Sequence, residues 1–179
     1  ICWALSNRCR FSGHCDRFYS VENHSVLAYE LSFHDTAMPD THMFVLLHDA
    51  CEAYMPDVAA PIKQHLPEIV AMEKRLTECI YEALVGRQPN ERELRIIKEV
   101  DASALKLERY KLMPDFGLDW GFPWISGNHA DTHHPVDTTR HRGKLMKSAY
   151  DHINEIRREL AEAVQRETPP KGATEITRG

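Results

Sequence analysis

Long apolar runs are missing from this chain. The longest candidate, around Met43 to Leu47, falls far short of the roughly 20 residues that cross a bilayer, so no helical membrane span is expected. Basic residues are in the minority: 22 Lys and Arg against 27 Asp and Glu give a net charge of -5 at pH 7. That balance argues against a DNA- or RNA-duplex-binding surface, while leaving room for a local basic pocket for a small anion. The five cysteines (Cys2, Cys9, Cys15, Cys51 and Cys79) show no CxxC spacing and are odd in number, which reads as reduced thiols and a cytoplasmic setting. A redox cluster of Cys2, Cys9 and Cys15 is the competing reading. There is no Gly-rich phosphate loop, no useful alternating strand pattern and no internal repeat. The chain opens on Ile1 and reads as helical at once, so no targeting signal is judged from it.

What remains is helical periodicity. With 179 residues the chain is long enough for one well-cored domain, and the expectation is an all-α domain over 1–165 followed by a disordered tail, 166–179. Leu27, Ala28 and Leu31 follow His24 at helical spacing, which places the histidine on an inward face. Asp40-Thr41 reads as the N-cap of a second helix running to about Tyr54, with Phe44, Leu47, His48 and Cys51 in one stripe. Pro56, Pro61 and Pro67 then break the chain into a bent connection with at most short helical turns.

A third helix is expected over Glu68 to Leu84, facing inward through Ile69, Met72, Leu76, Ile80 and Leu84 and ending at Gly86. A fourth begins at Asn90, with Glu93 as its capping-box partner and Leu94, Ile97, Asp101, Ala104 and Leu105 on one face. The last spans Lys144 to Val164 and presents Leu145, Ala149, Ile153, Ile156, Leu160 and Val164. Between them, Pro114 to Gly143 holds Trp120, Trp124 and a histidine-rich stretch, 126–142, with His129, His133 and His134. A loop of this length is often a lid, a binding element or an oligomer contact. No carboxylate or Cys framework fixes its histidines, so solvent exposure is favoured over a second metal site.

Four ionisable residues interrupt the apolar faces: His24, the adjacent pair His48-Asp49, and Asp101. Any one of them alone is most simply a hydrogen-bonded core residue. Together, on three separate inward faces, two imidazoles and two carboxylates make a nitrogen-and-oxygen cage for one divalent metal. Glu52 stands one turn beyond His48 and is placed to reach a water on that metal, the alternative being a solvated helix-end carboxylate.

The ordered set His24, His48-Asp49, Asp101 resembles the H…HD…D signature of the HD-domain metal-dependent phosphohydrolases. The segments Arg10-Phe11-Ser12-Gly13-His14, Tyr19 to Ser25, and His48 to Glu52 with Asp57 and Pro61-Ile62-Lys63 look like its small single-domain branch. That branch includes bacterial 5′-deoxynucleotidases and phage-encoded dATP triphosphohydrolases. The likeness covers roughly Ile1 to Met113. It implies a helical HD-domain bundle with His24, His48, Asp49 and Asp101 as ligands of a divalent ion (Co, Mn, Zn, Mg or Fe). It also implies Glu52 as the proton-transfer group, with Asp57 positioning the attacking water or contacting the sugar.

Arg10 and Lys63 match the family's phosphate-contacting basic positions, and Phe11 stands where some relatives carry Trp. Arg17-Phe18 is a second Arg-aromatic pair that competes with Arg10, and ordinary surface charge competes for Lys63. The expected activity is hydrolysis of a deoxynucleotide at its 5′ phosphorus, releasing the deoxynucleoside with phosphate or a longer phosphate chain. The family's oligomers and the aromatic loop add the expectation of a homo-oligomer. A phosphodiesterase or signalling-nucleotide hydrolase using the same metal is one alternative, and an inactive nucleotide-binding module is another.

Overall fold

The computed structural model describes residues 1–34, 38–113, 136–139 and 143–167. Among these, every regular element is a helix, so the fold is all-α. Trp120, Trp124, His129, His133, His134 and the segment 168–179 lie outside the described residues. No helix among the described residues is long and apolar enough to cross a membrane.

The short α1 (Cys2–Leu5) leads into a closed loop. Arg10 N–H donates to the Tyr19 carbonyl and Val21 N–H to the Arg8 carbonyl, at 2.9 and 3.0 Å, so residues 10–19 leave and return at one point. Next comes α2 (Val21–Ser32), started by a reciprocal box in which Ser20 Oγ accepts the Asn23 N–H and Asn23 Oδ1 accepts the Ser20 N–H. Eleven of its residues are buried, because α2 packs against α3 (Pro39–Leu47), α6 (Glu91–Leu112) and α7 (Lys144–Glu167). A helix enclosed on several sides leaves its polar residues no exit to water. His24 is consequently fully buried.

The second long helix departs from expectation at both ends. Its N-cap is Met38, not Asp40, because Pro39 has its φ preset for the first helical position. It stops at Leu47, short of Tyr54; Asp49 leaves helical geometry at φ -99°, ψ 13°, and a 3-10 turn follows over Ala50–Ala53. After the proline-rich connection, which includes only the short α4 (Ala60–Lys63), comes α5 (Pro67–Val85). It ends as expected on Gly86, left-handed at φ +85°. The expected inward face of α5 holds only in its second half: Ile80, Tyr81 and Val85 are buried, while Met72 is 52% exposed and Cys79 is also exposed.

Helix α6 carries the expected Asn90/Glu93 capping box. Its buried line runs through Ile96, Ile97, Val100, Ala104 and Leu107, and Leu94 faces outward. In α7, Met146, Ala149 and Ile153 enter the core while Leu160 does not, and the helix continues to Glu167. The buried Glu22 of α2 accepts the N–H groups of Gly143 and Met146, satisfying donors that a helix start leaves free. One hydrophobic cluster joins α1, α2, α3, α5, α6 and α7.

Candidate metal centre

The end of α3 is what makes the site. In a continuous helix, neighbours point about 100° apart, so His48 and Asp49 would diverge. Because the helix ends at His48 and Asp49 takes up a turn conformation, both side chains reach the buried His24 of α2. His24 Nε2 lies 3.1 Å from His48 Nε2, and Asp49 Oδ2 lies 3.5 and 3.4 Å from those two nitrogens. Asp101, almost three turns into α6, brings its Oδ1 to 3.2 Å from His24 Nε2 and 3.7 Å from His48 Nε2. All four sequence-predicted ligands therefore meet.

The donors fit a divalent cation. Nitrogen and oxygen ligands held about 2.0–2.2 Å from a common centre at tetrahedral angles lie about 3.3–3.6 Å from one another, and somewhat closer in six-coordinate geometry. The separations here, 3.1 to 3.7 Å, bracket that range. His24, His48 and Asp49 alone already form a group that could hold a metal ion.

Electrostatics couples the two imidazoles to the carboxylates around them. Burial by itself would lower the His48 pKa, but the carboxylates of Asp49 and Asp101 and the Val45 carbonyl outweigh it and hold it at about 9. His24 is likewise raised against its burial, through Glu108 and Asp101. Burial pushes the Asp101 and Asp49 carboxyls up, yet both end well below the usual range because the two imidazoles stabilise their ionised forms, aided at Asp49 by Arg10.

Glu52 is buried on the 3-10 turn after the ligand pair, not on a continuation of α3. Burial, reinforced by the charges of Asp49 and Asp57, pushes its carboxyl up to about 8. That excludes a solvated helix-end carboxylate. Asp57 is exposed in the connection beyond, with its charge felt by both Glu52 and Lys63. Lys63 is half-buried and its Nζ pairs with Glu73 Oε1 of α5 at 2.9 Å, a partner the sequence did not single out.

Arg10 sits deeper than a surface phosphate contact. Its Nη1 donates to Asp49 Oδ2 at 3.1 Å and its Nη2 to Glu108 Oε2 at 3.2 Å. Its guanidinium also stands 5.0 Å from the centre of the Phe11 ring. Phe11 and Ser12 are held at φ 55° and 51°, a left-handed turn uncommon for non-glycine residues. The rival pair separates clearly: Arg17 is exposed and bonded to its neighbour Asp16.

Glu108 is the residue the sequence reading missed. It is fully buried on α6, and its Oε1 lies 2.6 Å from His24 Nδ1. Burial opposes its ionisation, but His24 and Arg10 hold its pKa below the ordinary value. Its position seven residues after Asp101, two helical turns along the same face, was the available signal.

No family model matches the sequence. The chain is 39% identical over 129 residues to "Uncharacterized protein YfdR" of Escherichia coli (strain K12), an alignment covering 69% of this chain and 63% of that protein. The chain thus spans less than two thirds of the length of the relative it is similar to.

Proposed function

We propose that this protein is a divalent-metal-dependent phosphohydrolase of the HD-domain type that cleaves deoxynucleotides at the 5′ phosphorus. The observation that carries the reading is the convergence of His24, His48, Asp49 and Asp101 beside a buried carboxyl, Glu52, whose pKa stands near neutrality. His24, His48, Asp49 and Asp101 would hold the cation. When bound, a divalent cation supplies Lewis acidity, which acidifies water and draws charge from a phosphoryl oxygen.

The remaining work falls to the protein's own groups. Glu52 accepts a proton from the attacking water at a carboxylate oxygen as the new O–P bond forms. It then returns that proton to the 5′ oxygen as the P–O5′ bond breaks, so the nucleoside leaves neutral. A carboxyl raised towards neutral pH suits both halves of this exchange. Arg10, behind Asp49, offers the guanidinium charge that a phosphoryl group gathers as it transfers. Lys63 and Asp57, both in electrostatic reach of Glu52, would serve the outer phosphates and the sugar.

The test is a panel of deoxynucleoside mono-, di- and triphosphates with Mn²⁺, Co²⁺, Zn²⁺, Mg²⁺ or Fe²⁺, scoring phosphate, pyrophosphate and triphosphate. Release of a free deoxynucleoside is expected. Turnover confined to cyclic or signalling nucleotides would replace the reading with a phosphodiesterase. Binding without turnover would replace it with an inactive module.

A further inference from the structure

Glu108 is a fully buried carboxylate whose two oxygens serve different residues. Oε1 lies 2.6 Å from His24 Nδ1, and Oε2 accepts from Arg10 Nη2 at 3.2 Å. A buried carboxylate is costly, and an apolar side chain of similar volume would pack this part of α6 more cheaply. What a carboxylate adds is direction. It has no hydrogen to give, so Nδ1 of His24 must carry a proton, and in the neutral ring the Nε2 lone pair is left facing His48, Asp49 and Asp101. His48 obtains the same orientation from its own helix, with Nδ1 2.7 Å from the Val45 carbonyl. Among the described residues His24 has no such backbone partner, and its Nδ1 relies on a side chain distant in sequence.

The second oxygen does for Arg10 what the first does for His24. With Nη2 anchored on Glu108, Nη1 is aimed at Asp49 Oδ2, the same oxygen that faces both imidazoles. The loop that carries Arg10 is tied to the same stretch of α6, since Asp16 N–H donates to the Leu112 carbonyl at 2.9 Å.

The geometry points to Glu108 as a positioning residue, one buried clamp that sets His24 as an Nε2 donor for a divalent cation and holds Arg10 towards an oxyanion at the same centre. Cation affinity and phosphate affinity then depend on a single carboxylate. The oxyanion half of this assignment rests on the phosphohydrolase reading; the His24 half does not.

Full-length wild-type, Glu108→Gln and Glu108→Leu proteins are compared by three measurements, after circular dichroism confirms helix content. Side-chain ¹⁵N NMR of the metal-free proteins, recorded at alkaline pH where the imidazoles are neutral, reports the His24 tautomer. Absorption titration with Co²⁺ reports cation affinity, and calorimetric titration of the Co²⁺-loaded proteins with inorganic phosphate reports oxyanion affinity. Glu108→Leu should lose the fixed Nδ1–H tautomer and about 10–100-fold in Co²⁺ affinity, with phosphate affinity falling as well. Glu108→Gln should separate the two functions, because an amide offers one acceptor and one donor where the carboxylate offered two acceptors. It keeps one affinity and loses the other.

An unchanged His24 tautomer together with wild-type Co²⁺ and phosphate affinities in Glu108→Leu overturns the assignment. If that variant does not fold, the same three unchanged readings in Glu108→Gln overturn it. Failure of the wild type to bind Co²⁺ or hydrolyse any deoxynucleotide would instead sink the phosphohydrolase reading. The tautomer comparison, needing neither metal nor substrate, still decides whether Glu108 positions His24.

Discussion

His24 Nε2 and His48 Nε2 face each other at 3.1 Å, one from the buried middle of α2 and the other from the end of α3. Two imidazole lone pairs at that separation repel unless a proton or a cation lies between them. Asp49 and Asp101 add carboxylate oxygens within 3.7 Å of the same nitrogens, which suits a cation better than a single proton.

Metal content should therefore follow the carboxylates. Asp49→Ala and Asp101→Ala are expected to keep helix content and lose tightly held metal, with activity falling by orders of magnitude. Elemental analysis of the purified proteins should find about one divalent ion per wild-type chain and far less in either variant. Full activity of Asp49→Ala after chelation would remove the basis for the metal centre.

A variant of Glu52 should separate chemistry from metal binding. The Glu52 carboxyl is buried, and the charges of Asp49 and His48 act on it. Glu52→Gln should retain metal and nucleotide binding and lose about 10²–10⁴-fold in kcat. A variant whose residual rate merely tracks its metal occupancy would make Glu52 a ligand.

Lys63 carries a prediction about the number of phosphates. Its Nζ is paired with Glu73, and the charges of Asp57 and Glu52 act on it. Lys63→Ala should penalise dATP more than dAMP by about 1–3 kcal/mol in kcat/KM, the size of a lost charge-assisted contact. Arg10→Ala should depress both substrates alike. Equal penalties for Lys63→Ala would move the lysine to the scissile phosphate or out of the pocket.

What was legible in the sequence was mostly local or periodic. The Asn90/Glu93 box and the Gly86 stop involve residues within one turn of each other, and both formed as the sequence indicates. His24, His48, Asp49 and Asp101 stood out because a polar side chain on an apolar face needs a partner. The break after His48 was hidden, since Val45 to Glu52 reads equally well as continuous helix. Glu108 escaped because its partners, His24 and Arg10, are distant in sequence and only the fold brings them to it. Met72 and Leu160 misled for a third reason: periodicity tells which side of a helix is apolar, while tertiary packing decides how much of its length is covered.

Two glycines with the same backbone sign should respond differently to alanine. Gly86 (φ +85°) has open space where a Cβ would go, so Gly86→Ala should cost only the left-handed backbone penalty, about 1–2 kcal/mol. At Gly143 (φ +79°) a Cβ would meet Trp3 N at 2.8 Å and the Cys2 carbonyl carbon at 2.9 Å, both backbone atoms. Gly143→Ala should add an overpacking cost of about 1–3 kcal/mol to the same penalty. Urea unfolding of the two variants checks this, and equal losses would mean that α1 yields freely to the start of α7.

The ion pairs at the far end of α3 supply a test of stability against pH. Arg87 grips Glu93 with both terminal nitrogens, at 2.8 and 2.7 Å, and the Asn90 N–H and Thr41 hydroxyl donate to the same carboxylate. These contacts, the Arg87 hydrogen bonds foremost, lower the Glu93 pKa in the folded protein. Well above about pH 4.5 the carboxylate is ionised in both folded and unfolded chains, and its full contribution is present. As pH falls below that value the unfolded chain takes up its proton first, so the contribution drains away until the folded carboxyl protonates too. Glu93→Gln should be less stable than wild type by about 1–3 kcal/mol at pH 7. That gap should hold to about pH 5 and narrow steadily towards pH 3, the other carboxylates cancelling in the comparison. Urea titrations of both proteins at each pH read the gap directly, and one that stayed constant down to pH 3 would show that Glu93 acts through packing and not through its charge.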